Sequence, residues 1–249
     1  GVGRGSARAL ADFDFYYAAG RCWLAGDSMY DAAAFTREMR ALGRDDVELA
    51  FGYSPAFVPF SLFLGALPYA VARGVMWCVG FAGIAFLCRT ATRIAREPFD
   101  GARGGAHPVT PWLMIAVTCG ASCTSTALWL GQLGPWMAAL TLAGWLAVRE
   151  RELVLGGILI GLTSMKPQFS FLPLVWLLLA REGRVLAVAA LTALAFSSYA
   201  MALLGPLEPF AEFVGSVAQY ARRADDAEAA PSASNGSAGL WFFSACSES

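Results

Sequence analysis

Long uncharged runs constrain the fold of this chain more than any other feature of its sequence. Residues 49–72 contain no Asp, Glu, Lys or Arg over 24 positions, and residues 185–207 contain none over 23. Residues 104–148 lack these charges over 45 positions, enough for two bilayer crossings of about 20 residues each. Because helices satisfy their own backbone hydrogen bonds in lipid, we expect an all-α, polytopic transmembrane helical bundle.

The composition excludes several functional classes. Only 15% of the 249 residues are charged, whereas about a quarter are charged in a typical soluble domain. The net charge of −1 provides no basic face, so nucleic acid is not an expected partner. His107 is the only histidine, and the six cysteines show no metal-ligand spacing. We therefore expect no metal site and no cofactor, although the sequence by itself does not exclude a divalent metal.

Three regions follow from the distribution of charge. Residues 1–48 form a polar, amphipathic loop domain in which 16–24 and 31–42 have helical character. Residues 49–204 are a transmembrane block of about six or seven helical segments, including 75–88, 112–130, 136–148, 153–165, 169–180 and 185–204. Residues 205–240 return to loop, and the chain then stops at the start of another apolar segment. We expect an interior fragment of a longer protein, inactive in isolation.

The arginines predict an orientation. Residues 89–103, 149–152 and 181–184 together hold eight Arg against five acids. Residues 1–48 hold six against eight, and residues 205–249 hold two against six. By the positive-inside rule the first group is cytoplasmic and the second extracytoplasmic. This assignment requires residues 49–88 to cross an odd number of times, although that stretch resembles two helices, the first either kinked or partly re-entrant.

The aromatic, acidic stretch Asp12-Phe-Asp-Phe-Tyr-Tyr17 is the main candidate for chemistry. The uncharged runs contain no carboxylate, so any carboxylate chemistry must come from the loops. Aromatic faces suit sugar rings, and a carboxylate among them can serve as a general base. Alternatively, these rings form an interfacial aromatic belt with solvated acids between them.

Two polar residues interrupt the apolar block. Lys166, the only lysine, meets an anionic lipid headgroup such as a phosphate, or it extends to the interface from a helix end broken at Pro167. Gln132, in the break Gly131-Gln-Leu-Gly-Pro135, bonds a sugar hydroxyl or satisfies backbone groups that the break leaves free. The sequence leaves both pairs of alternatives open.

Seven short motifs occur in one order along the chain. They are Asp-Phe-x-x-Tyr-Tyr-x-Ala (12–19), Gly-Asp-x-x-Tyr-Asp (26–31), Tyr-Ser-Pro (53–55), Leu-Pro-Tyr-Ala (67–70), Leu-Gly-Gln (130–132), Gly-Ile-Leu-Ile-Gly-Leu (157–162) and Lys-Pro-Gln (166–168). In this order, over roughly residues 12–220, the chain resembles glycosyltransferase family 87. These are polyprenol-phosphate-mannose-dependent mannosyltransferase-like proteins (DUF2029-type) of the GT-C membrane class.

The resemblance implies a function and a site. It implies an inverting transfer of a hexose, mannose in the family, from a polyprenyl-phosphate donor to a glycolipid or glycan acceptor. The reaction would take place on the outer side of a bacterial inner membrane, among membrane lipids. Asp12 matches the catalytic base, and the neighbouring Asp14 is expected to raise its pKa by like-charge repulsion. The expected substrate-binding residues are Asp14, Tyr16, Tyr17, Gln132, Lys166 and Gln168.

Two other functional classes remain open at this point. A transporter or flippase for lipid-linked sugars would share the broken helices and the intramembrane cation, although the sequence shows no internal repeat. A non-catalytic membrane subunit of cell-envelope assembly would share the hydropathy alone.

Overall fold

A computed structural model describes residues 11–44, 52–96 and 122–229 of the chain. Every regular element in these ranges is helical, which confirms the all-α expectation for this part of the chain. Two 3₁₀ turns, Pro55–Phe57 and Thr163–Met165, accompany the α-helices. The α-helices are α1 (Ala11–Ala25), α2 (Ala32–Ala41), α3 (Val58–Gly65), α4 (Tyr69–Arg96), α5 (Ser122–Leu130), α6 (Gly134–Arg149), α7 (Leu153–Leu162), α8 (Pro167–Leu179), α9 (Gly183–Leu204) and α10 (Glu208–Ala229).

Two of the described helices are long and apolar enough to cross a membrane. They cover Tyr69–Ile94 in α4 and Gly183–Leu204, which is α9. Most of each helix is not buried inside the protein, whereas the core helix of a soluble domain would be mostly buried. The apolar helices α7 and α8 are shorter and are joined end to end by the turn at Thr163–Met165.

The region between residues 49 and 88 differs from the predicted helix pair. The eight residues of α3 span about 12 Å, too short to cross a bilayer core of about 30 Å. In contrast, α4 begins at Tyr69 and runs for 28 residues, well beyond the predicted 75–88. One helix in the described part of this region can therefore cross. An odd number of crossings is what the arginine distribution requires.

The loop domain packs directly on α3 through two glycines. A Cβ atom built on Gly20 would lie 1.9 Å from the carbonyl oxygen of Ser61, and one on Gly65 would lie 2.6 Å from the Gly20 carbonyl carbon. The close approach of α1 and α3 buries Phe13, Tyr16 and other aromatic side chains of α1. The interfacial aromatic belt considered above is therefore not what these rings form, because they belong to a packed core.

Small residues also hold α7 against its neighbours. A Cβ atom on Gly156 would lie 2.6 Å from Val148 Cγ2 of α6, and one on Gly157 would lie 2.6 Å from Val188 Cβ of α9. Helices in membranes commonly approach each other through such small residues, because lipid provides no hydrophobic force to drive their association. At the end of α7 that leads to Lys166, a Cβ atom on Gly161 would lie 2.7 Å from the carbonyl oxygen of Ala189 in α9, so α7 is packed closely there as well.

The arginine-rich segments meet at one end of the helical block. Arg93 of α4 pairs with Glu150 at 2.5 Å, in the turn between α6 and α7. Arg151 in the same turn lies 3.7 Å from Glu182, in the turn between α8 and α9. These arginines are exposed, so the pairs contribute little stability. They do show that three segments predicted to share one side of the membrane lie together.

The region 205–240, predicted as loop, is helical from Glu208 to Ala229. One face of α10 docks on the loop domain, where Ser28 Oγ donates to Glu212 Oε2 at 2.6 Å. The Phe213 ring packs 6.2 Å from the Tyr30 ring, centroid to centroid. Tertiary contact with a distant segment stabilises this helix, and a single-sequence pattern does not reveal such a contact.

Candidate active site

Asp12 lies in the first turn of α1, where it meets two residues from distant parts of the chain. Burial raises the pKa of Asp12 to about 6. The positive charge of Lys166 and a hydrogen bond with the Gln132 side chain act in the opposite direction. The structure thus brings together three residues that the sequence singled out separately, in a loop helix and in two breaks of the apolar block.

Gln132 is held at a helix end whose backbone groups are already satisfied. The Gln132 N–H donates to Ala127 O at 2.7 Å, and the Gly131 N–H donates to Leu128 O at 3.1 Å. Gly131 has φ 74°, the left-handed conformation typical of a Schellman cap. Because backbone bonds complete the break, the Gln132 side chain is not needed there. It is directed to Asp12 instead.

Lys166 occupies the second break, between the Thr163–Met165 turn and α8. Its backbone is extended at φ −127° and ψ 88°, as expected for a residue that precedes a proline. Ser54 fixes the approach to this break, since its hydroxyl donates to Ser164 O at 2.5 Å and its N–H to Met165 O at 3.3 Å. Lys166 is only 6% exposed. A lysine extending to the interface would be exposed, so this alternative does not describe Lys166.

Two tyrosine hydroxyls lie beside the carboxylate. Tyr16 follows Asp12 by one helical turn on the same face of α1, and its hydroxyl lies 2.5 Å from the Tyr53 hydroxyl. The Leu133 N–H also bonds to the Tyr16 hydroxyl. Burial raises the pKa of Tyr16 well above its ordinary value, and the neighbouring Tyr53 and Asp12 raise it further. Tyr16 therefore stays neutral and able to donate a hydrogen bond.

Tyr53 was not among the predicted site residues. Its ring centroid lies 5.6 Å from the Lys166 Nζ, and Phe169 faces the same ammonium at 5.7 Å. The sequence marked Tyr53 only as part of the motif Tyr-Ser-Pro (53–55). No spacing rule relates it to Lys166, because tertiary packing alone brings the two segments together.

Asp14 and Tyr17 lie on a different part of α1. Asp14 Oδ2 accepts from Arg44 at 2.8 Å (Nε) and 2.6 Å (Nη2), and Asp14 Oδ1 accepts from the Tyr69 hydroxyl at 2.7 Å. The Tyr17 hydroxyl donates to Leu67 O at 3.0 Å. Residues two apart on a helix point about 200° apart, so Asp14 faces away from the Asp12 cluster. The expected like-charge repulsion from Asp14 is not what raises the pKa of Asp12, since burial is the main cause.

Gln168 and His107 are the other positions that the sequence singled out. Gln168 is exposed in the first turn of α8, two residues beyond Lys166. Within residues 11–44, 52–96 and 122–229, no three His, Cys, Asp or Glu side chains come together as a possible metal site. His107 lies outside the described residues.

Comparison with known families identifies the class of this chain. Residues 51–243 match glycosyltransferase family 87. The chain belongs to glycosyltransferase family 87. Within this glycosyltransferase, the match includes Tyr53, Gln132 and Lys166, whereas Asp12 and Tyr16 precede it. No curated protein and no solved structure matches the chain.

Family membership gives the cluster a chemical context. A glycosyltransferase needs a group that takes a proton from an acceptor hydroxyl and groups that stabilise the departing donor. A buried carboxylate with a pKa near 6 can do the first, because it is ionised at neutral pH yet more basic than an ordinary Asp. A buried ammonium beside an amide can do the second.

The contacts of Asp14 predict a structural role for this carboxylate. We expect Asp14→Ala to destabilise the loop domain by about 2 kcal/mol, since it leaves Arg44 and Tyr69 without their shared acceptor. A thermal melt of the purified protein measures this loss. Asp27→Ala removes a more exposed ion pair, with Arg37, and should change the melting temperature little. Equal melting temperatures for the two variants would contradict the structural role.

Proposed function

We propose that this protein is an inverting GT-C glycosyltransferase in which Asp12 is the general base. It transfers a hexose, mannose by family likeness, from a polyprenyl-phosphate sugar to a hydroxyl of a glycolipid or glycan. The observation that carries the proposal is the burial of Asp12 together with Gln132 and Lys166, at the end of the helical block opposite the arginine-rich turns.

The role of Asp12 follows from the chemistry of the acceptor. A sugar hydroxyl is a weak nucleophile, so its attack is assisted when a carboxylate removes the proton in the transition state. The acceptor oxygen forms a bond to the anomeric carbon as the bond from that carbon to the phosphate oxygen breaks. Attack opposite the leaving group inverts the anomeric centre, and the hydroxyl proton ends on Asp12.

Lys166 suits the other half of the reaction. The leaving group is a lipid phosphate of low basicity, which needs compensation of its charge rather than a proton. The Lys166 ammonium is held among aromatic rings close to Asp12, where a phosphate oxygen can replace part of its lost hydration. Gln132 and Tyr16 supply neutral groups that can bond sugar hydroxyls, and the exposed Gln168 lies at the edge of the same break.

A membrane-embedded donor fits the surroundings of the site. The two breaks that carry Gln132 and Lys166 interrupt apolar helices, and α7 and α8 expose large apolar side chains such as Val154, Phe171 and Leu172. A polyprenyl chain could lie against such a surface while its phosphate reaches the break. We propose that α6, α7 and α8 cross or enter the membrane with α4 and α9, as parts of one polytopic bundle.

The site is proposed to face away from the cytoplasm of a bacterial inner membrane. The arginine-rich turns at one end of the block form the cytoplasmic side by the positive-inside rule. The cluster around Asp12 lies at the other ends of α6, α7 and α8. A single crossing by α4 supports this orientation, because it supplies the odd number that residues 49–88 require.

Replacement of the proposed base is the direct test of catalysis. We expect Asp12→Asn and Asp12→Ala to lower kcat for transfer from polyprenyl-phosphate-mannose by about 10²–10⁴-fold, the usual contribution of a general base. Asp27→Asn, on the exposed side of the loop domain, should keep wild-type activity. If both Asp12 variants retained transfer, the catalytic assignment would be wrong. A transporter or a non-catalytic subunit would then be the better interpretation.

Charge removal at Lys166 should change both donor affinity and pH dependence. Transfer by the wild type should fall as the pH drops through about 6, because protonated Asp12 cannot accept a proton. Lys166→Met removes a charge that lowers the pKa of Asp12, so this acid limb should move to higher pH, by on the order of one pH unit. The donor KM should also rise about tenfold or more.

Two matched variants separate these effects. Lys166→Arg keeps the positive charge, so its acid limb should stay close to that of the wild type. Gln132→Leu removes the hydrogen bond to Asp12 without removing a charge. It should therefore move the acid limb to higher pH, while the donor KM changes less than in Lys166→Met. An unchanged donor KM in Lys166→Met would count decisively against the phosphate role.

Cysteine labelling tests the orientation. In a cysteine-free background, Gln168→Cys should react with a membrane-impermeant maleimide added to intact cells, because Gln168 is exposed at the outer end. Arg181→Cys, in the exposed turn before α9, should react only after the cells are permeabilised. The reverse pattern would place the site on the cytoplasmic side.

A further inference from the structure

Tyr53 connects the segments that form the candidate site. It lies in the link before the Pro55–Phe57 turn and is half-buried. Its contacts reach α1 through Tyr16, the α1–α2 connection through Tyr30, and the second helix break through Lys166. These three segments carry or border the proposed base and the proposed phosphate-binding cation.

The Tyr53 ring restrains the ammonium of Lys166. The Lys166 Nζ lies 5.6 Å from the Tyr53 ring and 5.7 Å from the Phe169 ring, both within the range of a cation–π contact. A lysine side chain has four rotatable bonds, and ordering it costs conformational entropy. Two aromatic rings beside the ammonium reduce that freedom before any phosphate arrives.

The Tyr53 hydroxyl restrains the helix that carries Asp12. It lies 2.5 Å from the hydroxyl of Tyr16, and the two rings meet edge to face at 5.1 Å between centroids. Because Tyr16 follows Asp12 by four residues, it lies one turn further along the same face of α1. A change in the Tyr16–Tyr53 contact therefore acts on α1 one helical turn away from the Asp12 carboxylate.

The backbone of Tyr53 is itself fixed. The Tyr30 hydroxyl donates to Tyr53 O at 2.7 Å. The next residue, Ser54, bonds the carbonyl oxygens of Ser164 and Met165, immediately before Lys166. The backbone of Tyr53 is therefore held in place while its ring contacts Lys166 and its hydroxyl contacts Tyr16.

We propose that Tyr53 is a positioning residue whose ring holds the Lys166 ammonium and whose hydroxyl holds Tyr16, so that it sets the placement of the cation relative to Asp12. The role in transfer depends on the function proposed above. The role in placing Lys166 rests only on the phosphate contact proposed for Lys166 and not on catalysis by Asp12, because it concerns binding in the absence of turnover. The Tyr53 ring and the Tyr53 hydroxyl can be removed by different substitutions. The contact with Lys166 and the contact with Tyr16 can therefore be measured separately.

Binding to the purified full-length protein tests the ring, with farnesyl phosphate as the probe and uncharged farnesol as its control. Tyr53→Leu should weaken farnesyl phosphate binding about three- to tenfold and leave farnesol binding unchanged. Tyr53→Phe keeps the ring and should bind farnesyl phosphate within about twofold of the wild type. In Lys166→Met, the added Tyr53→Leu change should cause no further loss, because Tyr53 acts through Lys166.

Transfer kinetics test the hydroxyl. Tyr53→Phe should lower kcat several-fold with little change in the donor KM, and Tyr16→Phe should have the same effect. The double variant should be no worse than either single variant, because both remove the same contact. Fully additive losses in the double variant would overturn the coupling between the two hydroxyls.

The outcomes distinguish this inference from the proposed function. If Tyr53→Leu bound farnesyl phosphate as the wild type does, or lost farnesyl phosphate and farnesol equally, the positioning role would be refuted. If Asp12→Asn retained transfer while Tyr53→Leu selectively lost farnesyl phosphate, the catalytic assignment would fail and the placement of Lys166 by Tyr53 would stand.

Discussion

The electrostatic interaction between the desolvated Asp12 carboxylate and the buried Lys166 ammonium organises the candidate site. Each charge alone would be costly to remove from water, and the cost falls when opposite charges and hydrogen bonds are brought together. Lys166 and Gln132 both stabilise the ionised form of Asp12, yet burial outweighs them and leaves its pKa near 6. Asp12 is therefore ionised at neutral pH yet more basic than an ordinary aspartate, which is a useful condition for a general base.

Two helix breaks make this interaction possible. A continuous helix would present only its side chains to α1. At a break, one helix ends and another begins, and the polar residue between them is directed away from the axes of both helices. At Gly131 the left-handed backbone and its two cap bonds end α5 without using the Gln132 side chain. At Lys166 the following proline imposes an extended backbone. Glycine-mediated packing of α7 then holds the second break in place.

The sequence singled out three residues that the structure brings together, but it did not predict their arrangement. Gln132 and Lys166 were singled out because a polar group in an apolar run is unusual in any sequence, whereas the motif order of the family resemblance singled out Asp12. The partners of Asp14 and the position of Tyr53 depend on tertiary contacts between distant segments, which leave no periodic trace. The short length of α3 and the helix α10 were missed for the same reason, since packing rather than local propensity decides marginal helices.

The two carboxylates in the first turn of α1 differ in role, because Asp14 stabilises the fold and Asp12 is the candidate base. Asp14 uses both of its oxygens on Arg44 and Tyr69, which ties α1 to the chain after α2 and to the start of α4. Asp12, two residues earlier, faces the breaks and has an amide and an ammonium beside it instead. Asp14 is held in place by its several strong hydrogen bonds, whereas desolvation makes the Asp12 carboxylate more basic. The sequence Asp-Phe-Asp thus places an anchor and a candidate base on opposite faces of one helix, and the anchor fixes the helix from which the base acts.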